Sequence, residues 1–437
     1  MNSQAKLREQ ILSLSRQYKN MQPQNLFIAG ESYIPVSGKF IDGDDISMLV
    51  DSCLDGWLTT GRFNQAFEQR LGQWLGIDKV LTTVSGSAAN LLAFTALTSP
   101  KLQEKAIIPG DEVITVAAGF PTTVNPIIQN QAIPVFVDID PQTLNIDVSL
   151  LQQALSERTR AVMIAHTLGN PFDLAEVRRF CDEHDLWLIE DCCDALGSTY
   201  QGKHVGTYGD IATLSFYPAH HITTGEGGAV FTRSKKLAKI IESFRDWGRD
   251  CYCKPGEDNT CRRRYEHQLG ELPHGYDHKY TYSHIGYNLK ITDMQAACGL
   301  SQMDKLASFC ARRREHFQYL SSRLSHVVGL EIAQATKKSE PSWFGLPLTL
   351  SGPLAGKRTQ LLRELENAKI GTRLLFAGNL TKQPYFKDVN YRLASELTHT
   401  DNVMINTFWL GVHPSLDKNM LDYMIETLVS LCRRLSD

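Results

Sequence analysis

The sequence predicts an α/β fold: a mostly parallel central sheet with helices on both faces, followed by a smaller C-terminal α/β domain. Three observations predict it. Short unbroken apolar runs rich in valine and isoleucine recur between Val80 and Thr232. Helical patterns separate several of them. The chain has 437 residues, too many for one ordinary domain. Continuous apolar strands with helices between them are what a sheet covered on both faces requires. The hydrophobic content of 42% supplies a core, and the formal net charge of −3 gives no electrostatic reason to expect nucleic acid or a membrane surface as a partner.

Residues 1–45 read as an N-terminal arm. Its start, Met1–Tyr18, is polar and charged, and suits a surface helix rather than a secretory leader. The large domain spans 46–326. Strands are expected at Val80–Val84, Val113–Ala117, Pro134–Asp138, Ala161–Ala165, Trp187–Glu190, Ala212–Phe216 and Ala229–Thr232. Helices are expected at Leu91–Leu97, Leu150–Ala154 and Leu174–His184, with Met303–Leu324 as one long helix. The segment 249–283 breaks the rhythm. It is polar and rich in Tyr, His, Arg and Cys, a long loop of the kind that is usually functional or disordered. Residues 327–437 form the smaller domain. No apolar stretch is long enough to cross a bilayer, and the expected location is the cytoplasm.

Three motifs carry chemistry. Ser85-Gly86-Ser87-Ala88-Ala89-Asn90 follows a strand and opens a helix. Small residues there expose backbone N–H groups to a phosphate, although a plain helix cap explains the same pattern. Trp187–Asp191 ends in the acidic pair Glu190-Asp191, at the strand end where open α/β sheets bind ligands. A carboxylate there can pair with a pyridinium nitrogen. Ser215-Phe-Tyr-Pro-Ala-His220 leads through Gly225-Glu-Gly-Gly228 into the next strand.

In this order and spacing the three motifs resemble the nucleotide-sugar aminotransferases, vitamin-B6 enzymes of fold type I. Gly61-Arg62-Phe63, Gly286–Asp293 and Gln295-Ala296-Ala297 extend the resemblance over most of the chain. It implies that Gly86, Ser87 and Ser215 meet the cofactor phosphate, that Phe120 stacks on the pyridine ring and that Asp191 pairs with the ring nitrogen. It also implies a homodimer in which Asn288 reaches the phosphate of the partner subunit's site.

The chain departs from the family where family members carry the Schiff-base lysine. His220 stands there, and no lysine occurs between Ser215 and Gly228. Imidazole cannot form the imine that a primary amine forms. The cofactor is therefore expected as noncovalent pyridoxamine 5′-phosphate, with His220 as the base for loss of water from the sugar's third carbon. Asp194, expected beside the cofactor, and Tyr217 are further departures. His166, Arg62, His221 and Tyr217 are unranked candidates for reading the sugar.

Of the ten cysteines, Cys53, Cys181, Cys298, Cys310 and Cys432 read as isolated core thiols. Cys251, Cys253 and Cys261 fall within the unusual loop, and Cys193 lies two residues after Asp191. Four thiolates suit zinc or an iron–sulfur cluster, and spacing alone leaves both open. Reduction after loss of water needs two electrons, which zinc cannot pass. The resemblance narrows to the family branch that removes the C3 hydroxyl of CDP-linked 4-keto-6-deoxyglucose on the way to 3,6-dideoxyhexoses. It implies a [2Fe–2S] cluster on Cys193, Cys251, Cys253 and Cys261, with Cys192 as the adjacent competitor, and a flavin-containing iron–sulfur reductase as electron donor. A cluster-free 3-dehydratase that uses glutamate and a catalytically silent relative are the alternatives.

Overall fold

The computed structural model describes residues 3–23, 26–253 and 255–437. The large sheet is built from β1 (Lys79–Thr83), β2 (Glu112–Val116), β3 (Ile133–Val137), β4 (Thr159–Ala165), β5 (Trp187–Asp191), β6 (Ile211–Ser215) and β7 (Gly228–Thr232). Each expected strand is present, shifted by two residues at most. β2, β6 and β7 are buried along their whole length, as strands covered on both faces must be.

Smaller strands come after them in the chain: β8 (Leu330–Ile332), β9 (Gly345–Leu350), β10 (Arg373–Leu374), β11 (Arg392–Leu393) and β12 (Thr407–Gly411). The large sheet runs in the order β1-β7-β6-β5-β4-β2-β3-β11. β7 is antiparallel to both its neighbours, and the other pairs are parallel. β8, β9, β12 and β10 form a separate antiparallel sheet. β11 is sequestered from that sheet and pairs with β3, so the C-terminal segment also closes the edge of the large one.

Two expectations need correction. Met303–Leu324 is not one helix. A helix over Asp293–Met303 ends there and a second runs over Leu306–Leu324. Lys305 sits at the break, where its ammonium is taken up by Asp42 at 2.8 Å and Asp45 at 2.7 Å. Cys53 is exposed, on the last turn of the helix Gly43–Leu54, whereas Cys181, Cys298, Cys310 and Cys432 are buried. The N-terminal helix covers Ser3–Asn20 and buries none of its residues, and Met1 and Asn2 lie outside the described residues. No helix among the described residues is long and apolar enough to cross a membrane.

Two motifs far apart in sequence meet. Asp293 is buried, and its carboxylate accepts hydrogen bonds from the backbone N–H groups of Gly61 (2.8 Å), Phe63 (3.2 Å) and Asn64 (2.8 Å). It thereby caps the helix Arg62–Leu75, whose own N-cap, Gly61, has no side chain to do so. A carboxylate at this positive helix end is favourable. Asp293→Ala is expected to cost about 2–4 kcal/mol, because three donors lose a charged acceptor. Urea unfolding measures it, and a change below ~0.5 kcal/mol would remove the cap from the account.

Candidate active site

The carboxyl ends of β1, β5 and β6 converge on one crevice. Ser85 follows β1, and its hydroxyl accepts a hydrogen bond from the Ala88 N–H at 3.0 Å, capping the helix Gly86–Ala96. A Cβ on Gly86 would stand 2.5 Å from Ser215 Cβ and 3.0 Å from Cys193 Sγ. One on Gly228 would stand 2.5 Å from the Ser85 carbonyl. Only glycine lets these strand ends approach so closely. Gly86, the exposed Ser87 and the Ser215 hydroxyl therefore share one corner at a helix N-terminus, where N–H groups and the helix dipole favour a phosphate.

Asp191, 4% exposed, ends β5 beside that corner. Its Oδ2 accepts hydrogen bonds from Asn90 Nδ2 (2.7 Å) and Thr123 Oγ1 (2.7 Å), and its Oδ1 from the Cys193 N–H (3.1 Å). Thr213 Oγ1 in turn donates to Asn90 Oδ1 at 2.6 Å. The carboxylate is thus fixed in direction with unused capacity on Oδ1, which fits a pyridinium N–H. Phe120, half-exposed, is the residue before the helix Pro121–Gln129 and leaves a ring face open for stacking. These residues fit a pyridoxamine phosphate.

The expectation for the acidic pair is corrected. Only Asp191 faces the crevice. Successive strand residues point to opposite faces, and Glu190 is fully buried on the other one. It accepts from the N–H groups of Gly206 (2.7 Å) and Tyr208 (2.9 Å) and lies 3.1 Å from His166 Nε2. Glu190 holds a turn, and His166 is buried and engaged. His221 is likewise buried, with Nε2 2.8 Å from the Ser342 carbonyl. Burial, and then Arg313, push its imidazole well below the usual histidine range. Neither histidine is free to read a sugar. Arg62 is bound to Asp51 and Asp55, so Tyr217, half-exposed, is the candidate left open.

His220 lies in the loop after β6, on a turn closed by its N–H to the Tyr217 carbonyl at 2.9 Å. Its Nδ1 is 3.3 Å from Asp194 Oδ1, and both side chains are largely buried, 14% and 13% exposed. Nδ1 forms no hydrogen bond among the described residues, so the contact is a close approach of the two side chains. The two departures from the family pattern therefore face each other. Phe344 packs over the imidazole, with ring centroids 5.1 Å apart. Asn288 stands near the end of β1 in its own chain, where the Leu289 carbonyl accepts from the Val84 N–H and Lys290 Nζ donates to Asn288 Oδ1 at 3.2 Å.

The four expected thiol ligands are not brought together. Cys251 and Cys261 line a cavity of about 670 Å³ with Lys101, Lys239, His267 and His278. Cys253 adjoins them, its N–H donating to Cys251 Sγ at 3.5 Å. Asp250, paired with Lys101 at 2.5 Å, anchors this loop. Cys193 is instead fixed at the crevice by its N–H to Asp191 and its contact with Gly86. Burial, and then Asp191, push its thiol well above the usual range. Among the described residues the compact ligand groups are Cys261, His267 and His278, and His166, Glu190 and Cys192. Cys192 is buried beside Glu190, its thiol 3.8 Å from the Glu190 carbonyl.

The model of the DegT/DnrJ/EryC1/StrS aminotransferase family matches residues 40–429. The chain belongs to that family. Its fold is that of the fold-type I vitamin-B6 enzymes, and it is an enzyme of the sugar aminotransferase and 3-dehydratase family. It is 62% identical to the lipopolysaccharide biosynthesis protein RfbH of Salmonella typhimurium over 422 residues, 96% of each chain. It is 50% identical to dTDP-4-dehydro-2,6-dideoxy-D-glucose 3-dehydratase of Saccharopolyspora spinosa, covering 98% of this chain and 93% of that one. Among solved structures, E. coli GDP-4-keto-6-deoxy-D-mannose-3-dehydratase with bound hydrated PLP superposes with a TM-score of 0.81 at 27% identity, covering 91% of this chain and 99% of that one.

Sequence reasoning missed Asn90, Thr123 and Thr213 around Asp191, and Phe344 over His220. Asn90 stood within the first motif, one helical turn past Ser87, and that placement was the available signal.

Proposed function

We propose that this family member is a pyridoxamine-phosphate-dependent dehydratase that removes the C3 hydroxyl of a nucleotide-linked 4-keto-6-deoxyhexose. The observation that carries the reading is His220 at the lysine position with Asp194 3.3 Å from its Nδ1. When bound, the cofactor supplies a primary amine for the sugar's C4 ketone and a ring that accepts an electron pair. Gly86, Ser87 and Ser215 would hold its phosphate, Phe120 would cover its ring, and Asp191 would keep the ring nitrogen protonated. Asp194 stands 3.3 Å from Nδ1 of His220, so Nε2 is the ring atom that would carry the proton. His220 would serve as the proton carrier at this site, its Nε2 accepting a proton and then delivering it to the C3 hydroxyl that leaves as water. With no primary amine at position 220, that residue cannot hold the aldehyde form of the cofactor as an imine.

The names of the relatives support sugar dehydration, and that of RfbH supports a place in lipopolysaccharide assembly. The CDP-linked substrate and the homodimer with Asn288 at the partner's phosphate rest on the resemblance. The step after dehydration has two readings. Regeneration by glutamate without a cluster is supported by the similarity to a GDP-4-keto-6-deoxymannose-3-dehydratase solved with a trapped PLP-glutamate geminal diamine. The second reading, a [2Fe–2S] cluster fed by a flavin-containing reductase, is favoured by the grouping of Cys251, Cys253 and Cys261. Cys193 does not join them, so no electron step is derived through such a cluster.

The test uses substrate labelled with ¹⁸O at C3, offered as the CDP-, dTDP- and GDP-linked sugars with pyridoxamine phosphate. Release of the label into water, dependent on the cofactor, is expected. An amino sugar that retains the label would overturn the proposal. Iron content and an EPR signal on reduction, set against glutamate-dependent turnover, separate the two readings.

A further inference from the structure

Arg313 carries a charge in the core with no direct ion pair among the described residues, Asp194 acting on it only from a longer distance. It lies on the helix Leu306–Leu324 and is 1% exposed. Its Nη1 donates to the carbonyls of Trp343 (3.3 Å) and Phe344 (3.2 Å), and its Nη2 donates to the carbonyl of His220 (3.4 Å). Its Nε has no partner, and no Arg313 ion pair within 4.0 Å is present among the described residues. The neighbouring Arg314 is also spent on main chain, donating to the carbonyls of Pro341 (3.1 Å) and Gly197 (2.8 Å).

Burying an unpaired guanidinium is costly, and an apolar residue of similar size would fill the volume more cheaply. Only a planar fork with several donors can tie these separate carbonyls to one point. The carbonyls belong to two segments: the His220 loop, and the stretch leading into β9. That second stretch bears Phe344, whose ring packs on the His220 imidazole.

We propose that Arg313 is a positioning residue for His220, fixing the His220 main chain and the Phe344 ring against each other so that the imidazole is held at the cofactor. The proposal rests on the reading of His220 as the proton acceptor. Arg313 does not touch substrate. It acts through the geometry of the loop, and a lateral error of ~1 Å at a proton-transfer group costs about 10²-fold in rate.

The test is Arg313→Met in the otherwise native chain loaded with pyridoxamine phosphate, with Arg313→Lys as the milder variant should the first not fold. Exchange of the cofactor methylene hydrogens with deuterated solvent is expected to fall about 10²-fold together with kcat, while KM and cofactor occupancy stay within about twofold. A second arm introduces the same substitutions into His220→Lys and measures the rate at which borohydride traps pyridoxal phosphate at that position. Trapping is expected to slow. This arm reads position without relying on imidazole chemistry. If His220→Asn leaves methylene exchange unchanged, the base reading fails, while the trapping arm still decides the role of Arg313. Folded Arg313 variants with unchanged exchange and trapping would overturn the proposal, as would losses that only track cofactor occupancy.

Discussion

Replacing His220 by asparagine is expected to lower the rate of C3 hydroxyl loss about 10³-fold, the usual contribution of a placed general base. Asparagine keeps a polar amide near the place of Nδ1, though it is smaller than the imidazole, and it cannot carry the proton. KM and cofactor binding should change little, because the cofactor's anchors are Gly86, Ser87, Ser215, Asp191 and Phe120. A fall in kcat at constant KM marks loss of an interaction made only in the transition state. The comparison is steady-state release of ¹⁸O from C3. Turnover within tenfold of the native chain would remove His220 from proton transfer.

Asp191→Asn should lower turnover by about 10²–10³-fold, the loss typical for removing one charge-stabilising group. Its carboxylate is oriented by Asn90, Thr123 and the Cys193 N–H. The amide matches its shape but cannot keep a ring nitrogen protonated, so the loss reports charge rather than packing. Asp191→Ala goes further, leaving Asn90 and Thr123 without their acceptor at a cost of about 1–3 kcal/mol. Retention of the cofactor's absorbance through desalting, read beside kcat, separates the two effects. An Asp191→Asn enzyme with native turnover would show that the ring nitrogen has another partner.

The strands were legible because their burial on both faces leaves unbroken apolar runs, as at Val113–Val116 and Ala229–Phe231. The fold class came from that. The local motifs were legible too: Ser85-Gly86 reads as a strand-to-helix corner wherever it occurs. What sequence could not supply was direction and distance. Glu190 and Asp191 look equivalent until the strand assigns them to opposite faces. The hold of Asp293 on Gly61 spans 232 residues and has no local signature. Arg313 sits in the run Arg312-Arg313-Arg314, which reads as a solvated basic face, and only burial singles it out. His220 and Asp194 were each visible as departures, but their approach to 3.3 Å depends on the loop after β6 packing onto the turn after β5. Cys193 was placed with the loop thiols by chemistry. In the structure, the turn that orients Asp191 fixes it at the crevice instead.

With an imidazole at position 220, this chain is expected to hold its cofactor without a covalent bond. Intact-mass measurement after borohydride reduction in the presence of pyridoxal phosphate tests it most directly. The native chain is expected to keep its unmodified mass, and the His220→Lys chain to gain one cofactor, mapped to residue 220. Stoichiometric trapping on an active-site lysine of the native chain would contradict the account.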